Sequence, residues 1–408
     1  MTGLAPAIVL GVDTPIGLSI VRQLGQHGVP VHLVGKSARS ISARSRWVRS
    51  FTVRPPGPLA DWLPAFALNL AAGAIFAISE TTLIELADLA PILGGAHVLT
   101  PRQPALGIVL DKIETLARAR AFGIETPESW QPDVTEDFAG KAATLRYPVV
   151  AKWRDPNVSK PLLNDAGLEF HKAEYAADAV ALLALLDRYR TIGLWPMIQS
   201  YCPGHGLGQM LYMENGRATL RFQHRRIHEW PPEGGVSTFC TAEPLDLHAA
   251  QMAKSEALLA SIDWDGPAMV EYRYDPQTGR YVLMEINGRF WGSMPLAHVC
   301  GADFAWEAYR RRVLGDGSEM PLPGSNIRAR YMLPETRRLL RVLFDRDAIV
   351  DPYFKARPLR DLAAYLLGFF DPRMRYFVFS LADPGPFFRD MQSGLIKIAS
   401  LGKRLLRR

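Results

Sequence analysis

The sequence predicts an α/β protein, on three observations. An apolar strand, a glycine turn and a helix open the chain as a βαβ unit. Short apolar strands then alternate with helical stretches instead of segregating from them. Residues 267–293 form two strands joined by turn residues, a hairpin that carries carboxylates on an otherwise apolar run.

Length and composition bound the reading. A chain of 408 residues has room for two to four subdomains around a full core. With 48% hydrophobic and 22% charged residues it matches an ordinary soluble globular protein, expected in the cytoplasm. The three cysteines, Cys202, Cys240 and Cys300, are widely spaced and odd in number, which suits a reducing compartment and neither a disulfide framework nor a zinc site. No charged segment precedes the first apolar run, as a signal peptide would require, and no run reaches the length of a membrane span. The formal charge of +6 is concentrated in part in the last dozen residues. No basic and aromatic module accompanies it, so nucleic acid is not an expected partner.

Residues 1–105 read as a Rossmann-like domain. Ala7–Leu10 is a strand, 11–17 (GVDTPIG) a turn into a helix over 15–27, and 29–34 the next strand. The glycine spacing is not G-x-G-x-x-G, and Lys36 stands where an acid would bind a ribose. Tight strand-to-helix packing is therefore preferred to a dinucleotide site, and an NAD(P)-linked reductase is a discouraged third reading. Strands over 51–53 and 74–78 and a helix from Ser79-Glu80 follow.

Residues 106–203 form the next unit. Asp111-Lys112 opens a helix to about Phe122, and 147–153 (YPVVAKW) is a strand whose Lys152 follows an unbroken apolar run. Residues 173–189 read as helical, and 195–201 (WPMIQSY) as a strand. Residues 204–318 begin with strands either side of Asn215-Gly216, a hairpin turn. The second strand runs into 224–238, HRRIHEWPPEGGVST. Arg225 and Arg226 suit bidentate binding of carboxylate or phosphate, and the loop that follows supplies Glu229 and the hydroxyl of Ser237. The two arginines are adjacent on a strand and face opposite ways. Arg226 is expected to face the site, with Glu229 orienting it.

In the hairpin, Glu271 lies on the first strand, and Glu285 and Asn287, two apart, share a face of the second. Pairing across Asp275-Pro276-Gln277-Thr278-Gly279 brings Glu271 beside Glu285. Two carboxylates and an amide oxygen make a hard-oxygen site of the kind Mg²⁺ takes when it bridges phosphates. Met284 and Ile286 flank Glu285, so its charge needs a partner. Arg289 follows with a planar donor fork. A surface hairpin with solvated carboxylates is the alternative.

Glu271, followed by MEINGR at 284–289, resembles the metal-binding hairpin of the ATP-grasp superfamily. The longer string LMEINGRFWGS is similar to stand-alone bacterial ATP-grasp proteins of carboxylate–amine ligase type. The resemblance implies a two-lobed α+β fold after the first domain, with a nucleotide lobe over 106–203 and a metal and substrate lobe over 204–318. It implies ATP and Mg²⁺ (or Mn²⁺), with Glu271, Glu285 and Asn287 on the metal. Lys112 and Lys152 would lie on the phosphates, and Met197, Ile198, Gln199 and Ser200 form the adenine hinge. Arg226 and Arg289 would be catalytic, and Arg225, Arg226, Glu229 and Ser237 would contact substrate, a small carboxylate and an amine. One departure stands out: the glycine-rich loop after the second lysine is replaced by 154–161, RDPNVSKP, where Arg154 or Lys160 could supply charge instead of backbone donors.

Residues 319–408 read as a helical extension after a linker, MPLPG. Its last segment, 393–408, has apolar positions surrounded by Lys397, Lys403, Arg404, Arg407 and Arg408, as in a helix lying on an anionic membrane face or docked on the domain. The missing loop and this tail motivate the alternative function, a non-catalytic nucleotide-binding or membrane-associated scaffold of an envelope or polysaccharide pathway.

Overall fold

A computed structural model describes residues 3–99, 101, 103–351 and 354–394. The N-terminal domain is a five-stranded parallel sheet in the order Val48–Val53, Val31–Gly35, Ala7–Leu10, Ala74–Ala77, His97–Val98. A parallel sheet covered on both faces needs strands that are apolar throughout, and Ala7–Leu10 is buried at every position. Alternation then divides the strand between two cores. Ala7 and Val9 pack with Leu18 and Leu24 of the helix Pro15–Gln26. Ile8 and Leu10 face Leu83 and Leu86 of the helix Glu80–Leu89. The glycines here are structural: Gly11 has φ +83°, and a Cβ on Gly17 would stand 2.8 Å from Val12 Cα.

The small lobe is a four-stranded antiparallel sheet in the order Ser129–Trp130, Met197–Ser200, Val149–Lys152, Glu174–Ala176. The helix expected over 173–189 is shorter. Glu174–Ala176 pairs with the lysine-bearing strand, and Asp178 caps the helix Ala179–Asp187 by accepting the Ala181 N–H at 2.8 Å.

The large sheet has seven strands in the order Arg280–Asn287, Gly266–Asp275, His205–Glu214, Arg217–Trp230, Val236–Ala242, Arg328–Arg330, Met374–Tyr376. One face, with Leu207, Leu211 and Val270, packs on the helix Ala249–Ala260. The other, with Met210, Tyr212 and Met269, shares a core with the first domain and the helix Phe304–Val313, and Phe290 and Trp291 are buried in that core. The C-terminal region contains the expected helices, Met332–Phe344 and Pro358–Leu367, and also lends the sheet its last two strands. Each is three residues long, too short for alternation to reveal in sequence. Of the tail, 395–408 lie outside the described residues. Among the described residues no helix is long and apolar enough to cross a membrane.

Candidate active site

The two lobes and the C-terminal region enclose a cleft of about 610 Å³. Its floor is the hairpin Gly266–Asp275 and Arg280–Asn287. The turn fixes the register: Asp275 accepts from the Gln277 N–H at 3.0 Å and the Thr278 hydroxyl at 2.8 Å, and Gly279 takes φ +71°. Glu271 then stands directly opposite Glu285, with a bulge immediately beyond. Asn287 Nδ2 donates to Glu285 Oε1 at 3.2 Å. Burial pushes the Glu285 carboxyl up, but Lys172, Lys112, Lys152 and Arg226 outweigh it and hold the group at about 2.

Lys152 ends the strand Val149–Lys152 and lines the cleft. Burial lowers its ammonium below the ordinary lysine value, against the pull of Glu285 and Glu271. Lys112 is the first residue of the helix Lys112–Ala121, behind the cap Asp111, and also lines the cleft. Asp111 accepts from Arg154 Nε at 2.9 Å. The segment after Lys152 is not a loop but the helix Pro156–Asp165, started by the Asp155 cap, and Lys160 Nζ lies 4.7 Å from the Phe170 ring centre. Of the two side chains expected to replace the missing glycine loop, Arg154 is thus committed to Asp111, whereas Lys160 lines the cleft beside Phe170.

Among the hinge residues, Gln199 and Ser200 line the cleft together with Tyr201 and Cys202, while Met197 and Ile198 are buried in two separate cores. The Ser200 N–H is committed to the Glu128 carbonyl at 2.9 Å.

The adjacent arginines part as strand geometry requires. Arg226 enters the cleft, binds Glu271, and approaches Glu229 at 3.7 Å. Burial alone would lower its pKa, but Glu271 and Glu229 raise it above the arginine norm. Glu229 is lowered: burial raises it, and Arg226, Arg273 and Lys172 outweigh that. Arg225 turns away from the cleft to Glu243 at 3.2 Å. Ser237 sits opposite Glu229 in the ladder, buried and off the cleft wall. Neither Arg225 nor Ser237 is placed to touch substrate, because the first points through the sheet and the second is covered. Arg289 lines the cleft and is held by Glu80 at 3.0 Å.

The turn after this strand is fixed from both sides. The Tyr175 hydroxyl donates to the Glu233 carbonyl at 2.7 Å, and Arg341 pairs with the Glu233 carboxylate at 3.1 Å. A Cβ on Gly235 would lie 1.8 Å from Trp230 O, so only glycine closes the turn.

Several lining residues escaped the sequence reading. Arg273 had a signal, being two residues from Glu271 on one strand face. Lys172 and Glu80 carry no motif. His228 belongs to the basic string, but its partner is remote. Its Nδ1 lies 2.6 Å from Glu335 Oε1, and Glu335 Oε2 accepts from the Thr238 hydroxyl at 2.6 Å. Arg338, Phe354 and Lys355 complete the wall, so the C-terminal region is part of the site.

No family model matches the sequence, and the curated proteins contain no match. Solved structures do match. The biotin carboxylase domain of the Hydrogenobacter thermophilus 2-oxoglutarate carboxylase, in complex with MgADP, ADP and bicarbonate, aligns with TM-score 0.60 at 13% identity, over 80% of this chain and 73% of that one. The chain has the ATP-grasp fold. Further ATP-grasp neighbours are an L-amino acid ligase from Bacillus licheniformis and N5-carboxyaminoimidazole ribonucleotide synthetase from Thermus thermophilus. The ligase aligns at TM-score 0.57 and 13% identity, over 77% of this chain and 75% of that one. The synthetase aligns at TM-score 0.58 and 15% identity, over 79% and 81%. At such identities the likeness is one of ATP-grasp fold alone.

Proposed function

We propose that the protein is an ATP-dependent ligase that joins a small carboxylate to an amine, or another nucleophile, through an acyl phosphate. The observation that carries the reading is the convergence of Glu271, Glu285 and Asn287 with Lys112, Lys152 and Arg226 in one cleft. The ADP-bound carboxylase neighbour and the amino acid ligase support it at the level of fold.

The donor set is all oxygen, its carboxylates are opposite in register, and Glu285 is held ionised. That set fits a hard divalent ion, Mg²⁺ or Mn²⁺. Such an ion, held by Glu271, Glu285 and Asn287, would polarise the ATP phosphates. Lys112 and Lys152 offset phosphate charge in a partly desolvated site. Gln199 and Ser200 flank the base. Arg226 holds the substrate carboxylate by its fork while an oxygen attacks the γ-phosphorus and the bond to ADP breaks. The amine then attacks the acyl carbon, and phosphate leaves. Of the two protons the ammonium loses, one goes to His228, fixed by Glu335, and one leaves on phosphate. Arg289, tied to Glu80, borders the same space.

The test is a pooled screen of carboxylic acids and amines that reads ADP and phosphate together. Substrate-dependent release of both supports the ligase. Nucleotide binding without turnover favours the non-catalytic reading, for which the helix at the usual position of a glycine loop is the specific observation.

A further inference from the structure

The C-terminal region carries a row of aromatic rings that the cleft does not use. Tyr365 and Phe369 lie 5.6 Å apart between ring centres, Phe369 and Tyr376 6.4 Å, and Tyr376 and Phe379 6.2 Å. The row continues to Phe387 at 5.2 Å and Phe388 at 5.6 Å. It is bordered by apolar side chains left in water: Phe370 is 85% exposed, Leu381 87%, Leu367 68% and Phe388 itself 67%. The helix Pro358–Leu367 has no fully buried residue, although its sequence is apolar on several sides. Tyr365, Tyr376 and Phe387 are half-buried, and the exposed rings and leucines around them form the kind of apolar patch that marks an interaction site.

Charge identifies the partner. From Arg337 to Gly394 the sequence holds 10 basic and 7 acidic residues, against 32 basic and 34 acidic in everything before Arg337, and 395–408, outside the described residues, add five basic residues. The protein's positive excess therefore lies wholly in this region. Arg357 and Arg360, at the start of the helix Pro358–Leu367, and Arg375, next to Tyr376 in the strand Met374–Tyr376, are exposed. Two copies of a face bordered by Arg357, Arg360 and Arg375 bring like charges together, and an uncharged apolar partner gives these cations nothing to bind. A surface with anionic headgroups above an apolar layer satisfies both sets of side chains. Aromatic and leucine side chains enter the headgroup boundary while arginines remain among the phosphates.

We propose that the partly exposed aromatic row from Tyr365 to Phe388, with the exposed Leu367, Phe370 and Leu381, is a docking face for an anionic bilayer. The protein would lie on the surface without spanning it.

The test is sedimentation of the full-length chain with phosphatidylglycerol-containing vesicles and with pure phosphatidylcholine vesicles, at low and high salt. It compares the parent with the double variant Leu367→Ser/Phe370→Ser. These side chains are exposed, so thermal melting should match the parent. The parent should sediment with anionic vesicles and be released by salt, and the variant should lose about tenfold or more of that binding. Equal binding by parent and variant overturns the proposal, as does a parent that never sediments. A parent that is dimeric in light scattering, and monomeric once Phe370 is changed, also overturns it, by assigning the row to a second copy.

Discussion

Arg226 and Glu271 are joined as a half-buried ion pair across the sheet, in the cleft that also holds Glu285. One residue earlier Arg225 points the opposite way, to Glu243 at 3.2 Å. The pair places a guanidinium fork beside the proposed metal ligands in the cleft. Arg226→Lys keeps the charge and loses the fork. It should leave Mg·ATP affinity near the parent's and lower substrate-dependent ADP formation about tenfold or more. Arg225→Lys should change neither. Calorimetry and a coupled ADP assay on both variants check this.

Lys152→Ala should weaken ATP binding by about tenfold to a hundredfold, the worth of one charged hydrogen bond of roughly 1.5–3 kcal/mol. Lys160→Ala should weaken it less, since that ammonium, although on the cleft wall, rests on the Phe170 ring. Fluorescent-nucleotide displacement separates the two.

The placement of His228 predicts a selective defect. His228→Asn should slow amide formation with ordinary amines, which enter as ammonium ions, and spare trapping by hydroxylamine, which is already mostly neutral near pH 7. Raising the pH should narrow the gap. Equal loss with both nucleophiles would remove His228 from the proton path. Its partner Glu335 is 3% exposed and fixed by two short bonds, so Glu335→Ala should also cost about 3 kcal/mol in chemical denaturation.

Stability should depend on His224, which is fully buried between the sheet and the helix that follows the hairpin. Burial first, and then Arg226, lower its pKa from 6.5 to about 3. The unfolded chain therefore binds a proton that the folded chain refuses between those values. Its contribution is complete above about pH 6.5 and declines as the pH falls toward 3. Denaturation midpoints at pH 7.5 and 5 should differ, and the slope should be shallower in His224→Gln.

What the sequence made legible follows from short-range chemistry. The hairpin was readable because its turn residues fix the register that sets Glu271 opposite Glu285. Lys152 was readable because a charge ending an apolar strand is unusual. The arginine faces could be assigned only in alternation. Bulges between Arg226 and His228 and again before Glu229 erase the period just where the strand meets the cleft. Glu80, Lys172 and Glu335 were not readable at all: they come from three other segments and meet the site only through tertiary packing. Ser237 and Arg225 resemble site residues in sequence because they neighbour the motif, whereas burial and strand alternation separate them from the cleft in space.

Glu285 is proposed to hold the ion that couples ATP to the cleft, and Glu285→Gln tests this most directly. The substitution keeps the shape and removes the charge that Lys172, Lys112 and Lys152 now surround. Calorimetry of ATP binding with and without Mg²⁺ should show the Mg²⁺-dependent gain reduced about tenfold or more. Mg²⁺-free ATP binding should be retained or strengthened, because the lysines lose a competing anion, and the fold should remain intact. An unchanged Mg²⁺-dependent gain in a folded Glu285→Gln protein would contradict the account.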